Sequence, residues 1–107
     1  MPEASPENPD VFTAIASPVR RALIDALGAG PKPVQALAAG LPVSRPAVSQ
    51  HLRVLKQAGL VREERSGREH WYQLNPAPLA EVHTWASHYE RFWRDRLAAL
   101  RDTLEES

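Results

Sequence analysis

The nineteen residues from Val43 to Val61, VSRPAVSQHLRVLKQAGLV, constrain the fold more tightly than any other part of the chain. Spaced at about 100° per residue, Val48, Leu52, Leu55, Ala47, Val54 and Ala58 gather on one side of a helix, with Ser44 and His51. Arg45, Pro46, Ser49, Gln50, Arg53, Lys56 and Gln57 gather on the other. Ser44 is a good N-cap, and Pro46 is tolerated because a first-turn N–H has no helical acceptor. Gly59 ends the helix, and no acid interrupts the polar side before Glu63. The apolar half must be buried. The polar half is left free, and its residue types match base edges: Arg pairs bidentately with guanine, Gln with adenine, and Ser with either. Lys56, near the helix end, is better placed for phosphate, and the helix start at Ser44 offers outward N–H groups as a further phosphate site.

The flanking segments fit such a helix. Ser17-Pro18 marks another helix start, followed by Val19, Leu23, Ala26 and Leu27 at helical spacing, with Arg21 and Asp25 as an i,i+4 pair. A short helix with Phe12, Ile15 and Ala16 precedes it, and a third spans roughly 33–40, burying Val34, Leu37 and Ala38. The third and fourth helices, joined by Gly40-Leu41-Pro42, form a helix-turn-helix. Beyond Gly59 the pattern becomes strand. Segments 60–65 and 69–74 flank Ser66-Gly67, the expected hairpin loop, with Tyr72 and Leu74 facing the core. Arg65 and Arg68 straddle that turn, within reach of phosphates or a minor groove. Segment 77–104 lacks Gly, and lacks Pro after Pro78, so it is expected to be one continuous helix.

Composition excludes more than it identifies. The chain has 107 residues, 43% of them apolar, which suits one domain with a modest core. Without Cys there is no disulfide framework, thiolate metal site or Cys nucleophile. No leader-like or long apolar segment is evident, so a cytoplasmic protein that avoids membranes is expected. Residues 1–10 hold Pro2, Pro6 and Pro9 with Glu3, Glu7 and Asp10 and no base, and are expected to be a disordered tail ahead of one domain at 11–107. The net charge is zero. However, residues 43–70 carry Arg45, Arg53, Lys56, Arg62, Arg65 and Arg68 against only Glu63, Glu64 and Glu69, which concentrates positive charge where phosphates would lie. Arg62 is read as ordinary exposed charge. No paired-carboxylate site, phosphate-binding Gly loop or Ser/His/Asp spacing supports an enzyme.

The chain resembles the ArsR family of bacterial winged helix-turn-helix repressors along most of its length. The matching residues are Ala16-Ser17-Pro18 with Arg20-Arg21, Leu37-Ala38, the run Ser44 to Leu52, Leu55, Ala58-Gly59-Leu60-Val61, and Gly67 with Tyr72-Gln73-Leu74. The resemblance implies a homodimer that uses its first and last helices as interface and binds a short inverted repeat in a promoter. It also locates the family's metal positions. Pro33-Val34-Gln35 occupies the slot of a Cys-Val-Cys motif, so both thiolates are missing. Glu81 and His83 fill the first half of a second site, but Arg94 and Leu97 fill the other half, and a guanidinium cannot ligate a cation. His83 and His88 lie about 140° apart on their helix and do not converge. His51 falls on the anchoring side as a packed residue, and His70 lies in the wing. The expected cofactor set is therefore empty, with no metal.

In the last helix, Leu79, Val82, Trp85, Ala86, Tyr89, Phe92, Trp93, Leu97, Leu100 and Leu104 form a stripe wider than a small core needs. Such width points to two contacts, the chain's own core and a second subunit. The expected architecture is mainly α with a small β-hairpin, a dimeric winged helix-turn-helix of order α-α-α-α-β-β-α. The expected function is a DNA-binding transcriptional regulator, a repressor acting on double-stranded DNA. Its expected DNA contacts are Ser44, Arg45, Pro46, Ser49, Gln50, Arg53, Lys56, Arg65 and Arg68. Its expected dimer contacts are Phe12, Val82, Trp85, Tyr89, Phe92, Trp93 and Leu97. Two alternatives are a regulator with a metal or small-molecule effector site at the dimer interface, and a protein-interaction adaptor that keeps the winged fold without DNA.

Overall fold

Three helices begin in the same way, with a polar side chain accepting the N–H three residues ahead. Thr13 N–H donates to Asp10 Oδ1 (2.8 Å), Arg20 N–H to Ser17 Oγ (3.3 Å) and Ala47 N–H to Ser44 Oγ (3.2 Å). The computed structural model describes residues 9–105. The elements are α1 (Val11–Ala14), α2 (Pro18–Leu27), β1 (Lys32–Pro33), α3 (Val34–Ala39), α4 (Arg45–Gln57), β2 (Val61–Ser66), β3 (Glu69–Leu74), α5 (Leu79–Ser87) and α6 (Arg91–Glu105). Most of the expected N-terminal tail, residues 1–8, lies outside the described residues.

The core joins Leu23, Ile24 and Leu27 of α2, Leu37 of α3, and Val48, Leu52 and Leu55 of α4 to Leu60, Val61 and Tyr72. α4 packs on α2, α3 and β2 together, which buries Val48, Leu52 and Leu55 and half-buries Ala47, Val54 and Ala58 beside them. Its C-terminus is a Schellman motif. Leu60 N–H donates to Leu55 C=O (2.9 Å) and Gly59 N–H to Lys56 C=O (3.0 Å). Gly59 takes φ 79°, a left-handed conformation that Gly reaches without strain. Leu55 and Leu60, the hydrophobic pair that accompanies this motif, are both fully buried. Asn75 ties the end of β3 to the same place, its N–H donating to Leu60 C=O (2.7 Å) and its Nδ2 to Gly59 C=O (2.8 Å).

The wing is an antiparallel hairpin in which Val61 opposes Leu74 and Ser66 opposes Glu69. The loop is therefore Gly67-Arg68, one residue later than Ser66-Gly67. Gly67 has φ 63° and Arg68 has no positive φ, which fits a two-residue turn needing a left-handed residue only at its first position.

The structure departs from the sequence reading in three further places. The sheet has three strands, ordered β1-β3-β2, because Lys32 and Pro33 pair with Tyr72 and Trp71. Two residues are too few for an alternating pattern, and Pro33 is acceptable there because β1 is an edge strand. The expected 77–104 helix is two helices. Between them His88, Tyr89 and Glu90 donate to carbonyls three residues back, a tightened 3₁₀-like turn, and Ser87 Oγ donates to Thr84 C=O (2.8 Å). Finally, Arg21 forms no ion pair with Asp25; its Nη1 donates to Ile15 C=O (2.7 Å).

Two substitutions test this framework by urea denaturation. Leu52→Ala removes a fully buried side chain and is expected to cost about 2–5 kcal/mol. At Gly59 an added Cβ would meet only Pro78 Cγ, at an ordinary 3.7 Å. Gly59→Ala is therefore expected to cost about 1–2 kcal/mol through backbone strain alone, with Gly59→Asn losing less.

Candidate nucleic-acid interface

Burying Val48, Leu52 and Leu55 fixes the rotation of α4, and the opposite side follows. Arg45, Pro46, Ser49, Gln50 and Arg53 are all exposed. Arg45, Ser49 and Arg53 are four residues apart, so they form one ridge about 12 Å long at 1.5 Å per residue. The planar guanidinium fork of Arg53 suits guanine or phosphate. Arg65 and Arg68 are both exposed, Arg68 within the hairpin turn and Arg65 near the end of the strand leading into it. These residues form two separate basic features, a helix face and a hairpin tip.

The helix start offers less than expected. Ser44 Oγ occupies the Ala47 N–H, and Pro46 has none. Of the helix's first N–H groups, those of Ser44 and Arg45 have no acceptor among the described residues.

Lys56 and the wing are joined through Glu63, a link the sequence did not reveal because it depends on how α4 and the two wing strands pack. Lys56 Nζ lies 3.4 Å from Glu63 Oε1, and Tyr72 Oη donates to Glu63 Oε2 (2.9 Å). His70 Nδ1 is 3.6 Å from the same oxygen. The Tyr72 hydroxyl, with help from Lys56 and His70, holds the Glu63 carboxyl below its ordinary range. Tyr72 moves the other way. Burial first, then the Glu63 carboxylate, push its hydroxyl up to about 12. The Lys56–Glu63 pair is solvent-exposed and contributes at most about 1 kcal/mol, so Lys56 can exchange Glu63 for a phosphate at little cost. Glu69 orders the far side of the wing by accepting from Trp71 Nε1 (2.9 Å) and Gln35 Nε2 (3.3 Å).

The expected dimer residues fall into two groups. Phe12 and Val82 are half-buried against the chain's own core. Trp85, Tyr89, Phe92, Trp93 and Leu97 are exposed, as are Leu100 and Leu104, over a range from 40% for Trp93 to 67% for Leu104. Phe12 meets Trp85 edge-on at 5.7 Å, Trp85 meets Tyr89 at 5.6 Å and Tyr89 meets Phe92 at 6.2 Å, a continuous aromatic row from α1 to α6.

His51 is half-buried on the anchoring side of α4, and its Nδ1 is 3.2 Å from Arg20 Nη1. His83 and His88 are exposed, and Arg94 is bound to Glu90 at 2.7 Å. No three His, Cys, Asp or Glu side chains cluster among the described residues, and no helix among them is long and apolar enough to cross a membrane.

Comparison with known proteins bears on this arrangement. Residues 15–64 match a family model described as a helix-turn-helix domain. The chain is 43% identical over 99 residues to the HTH-type transcriptional regulator Rv2034 of Mycobacterium tuberculosis, spanning 92% of this chain and 90% of that protein. It is 36% identical over 76 residues to the transcriptional repressor SdpR of Bacillus subtilis, spanning 71% and 84%. Among solved structures, an ArsR-like transcriptional regulator from Rhodococcus sp. RHA1 superposes with TM-score 0.68 at 33% identity, covering 91% of this chain and 89% of that one.

The Glu63 cluster gives a pH prediction. With its carboxyl lowered from an ordinary 4.5, the stabilisation from Glu63 is complete above that value and is lost as pH falls through the lower folded-state value. Thermal melts are expected to show a smaller acid-side loss of stability in Glu63→Gln than in the wild type; equal losses would remove Glu63 as the cause.

Proposed function

The chain belongs to the ArsR family of winged helix-turn-helix proteins and is a DNA-binding transcriptional regulator, and from that premise we propose that it acts as a homodimeric repressor on an inverted-repeat operator. The observation that carries the proposal is the division of α4 into a buried half and an exposed half bearing Arg45, Ser49, Gln50 and Arg53. These four contact base edges. Ser44, Pro46 and Lys56 lie along the phosphates at the two ends of the helix, and Arg65 and Arg68 reach phosphate or minor groove from the wing. The chemistry is recognition rather than catalysis.

Two copies pair through α1, α5 and α6. The exposed aromatic and leucine face supplies the apolar area that a stable interface needs, and a twofold axis presents two α4 helices to successive turns of DNA, about 34 Å apart. Repression is inferred by analogy with the relative named as a repressor. The regulator works without metal, because Pro33, Gln35, Arg94 and Leu97 stand where ligands would be needed and offer no cation-binding set.

Fragments recovered from the host genome by binding to the purified protein supply the operator. On that DNA, Arg53→Ala is expected to weaken binding by about 1–3 kcal/mol and to leave random DNA little affected. Equal loss on both would make Arg53 a phosphate contact. Affinity should fall steeply as salt rises and stay constant across a panel of divalent metals. Replacing Leu97 with Asp should convert a sedimenting dimer to monomer and abolish tight operator binding; an unchanged dimer would remove α6 from the interface.

A further inference from the structure

α1 has only four residues, too few to hold a helical conformation by itself. Side chains of α2 secure it. Arg20 donates from Nε to Ala14 C=O (2.7 Å) and from Nη2 to Thr13 C=O (3.1 Å). The remaining corner of the same guanidinium, Nη1, faces Nδ1 of His51 in α4 at 3.2 Å. Arg has no acceptor, so His51 Nδ1 must accept and must be unprotonated. α1 meanwhile borders the exposed aromatic row through the Phe12–Trp85 contact. One guanidinium thus connects the element beside the apolar face to the anchoring side of the DNA-reading helix.

We propose that Arg20 and His51 are positioning residues that couple the α1–α5 face to α4, so that pairing of two copies at that face and operator binding reinforce each other. The coupling rests on the dimer reading above. The link has two arrangements. With Nδ1 free, His51 accepts from Arg20 and α4 is held to α1. With Nδ1 protonated, two cationic donors face each other and the link opens. Burial, then the Arg20 charge, lower the affinity of His51 for that proton; Arg20 is the charged group acting on the ring. Operator binding therefore weakens as pH falls below the ordinary histidine range.

The test uses the full chain, the operator fragment, and the variants Arg20→Lys and His51→Gln. Lysine keeps the charge but loses the three-way fork, and glutamine keeps an acceptor that does not titrate. Operator affinity is measured by fluorescence anisotropy between about pH 7.5 and 5.5, and the monomer–dimer equilibrium by sedimentation with and without DNA. One linked proton changes affinity by at most about tenfold per pH unit. The wild type is expected to weaken as pH falls across the range, by less than the one-proton ceiling, and His51→Gln is expected to stay nearly flat. Arg20→Lys, compared with its own DNA-free dimer, should show less of the tightening that operator DNA produces in the wild type. A dimeric wild type whose pH profile persists in His51→Gln overturns the link, and so does an Arg20→Lys protein with full DNA-induced tightening. A wild type that stays monomeric on its operator overturns the dimer reading and, with it, the coupling to pairing.

Discussion

The orientation of α4, and with it the exposed ridge of Arg45, Ser49 and Arg53, depends on three side chains that never meet solvent. Val48, Leu52 and Leu55 occupy positions i, i+4 and i+7 of α4, and each has no exposed area. Burying them turns the ridge of Arg45, Ser49 and Arg53 outward, because the two stripes are opposite sides of one helix. Each burial stabilises by about 1.5–3 kcal/mol, a sizeable share of the roughly 5–15 kcal/mol that holds a domain folded. Loss of the anchor would therefore cost stability and orientation together. The Schellman end at Gly59 and the two Asn75 hydrogen bonds then fix where the wing leaves the helix.

Much of this was legible because it is local. Caps at Ser17 and Ser44, the stop at Gly59 and the alternation around Tyr72 act within a few residues, and each appears in the structure as the sequence implied. The exposed face of α4 followed from the buried one. What escaped was non-local or side-chain-specific. The pairing of Lys32-Pro33 with β3 has no pattern of its own, and the three-way reach of Arg20 depends on how α1 folds back. The break between α5 and α6 also escaped, since no Gly or Pro marks it. A serine hydroxyl bonded to a preceding carbonyl and a run of three-residue hydrogen bonds mark it instead. The Glu63 cluster escaped as well, because it joins α4 to both wing strands through side-chain contacts that no periodic pattern marks.

The break has a consequence for assembly. α5 keeps Val82 and Leu79 against the core, while α6 has no buried residue and carries Phe92, Trp93, Leu97, Leu100 and Leu104 in the open. One helix closes the fold and the next leaves it. A net charge of zero is uninformative as an average, because residues 43–70 carry Arg45, Arg53, Lys56, Arg62, Arg65 and Arg68 against only Glu63, Glu64 and Glu69. Local placement gives this neutral chain both an exposed basic surface on α4 and the wing and a separate exposed apolar face on α5 and α6.

The central claim is that two copies, joined through that apolar face, place two α4 helices on one side of the duplex. Hydroxyl-radical footprinting of the recovered operator tests it most directly. The account predicts two protected patches related by the inverted repeat, their centres about 10–10.5 base pairs or a multiple apart, appearing together as protein is added. A single protected patch, or two that fill independently at different concentrations, would contradict it.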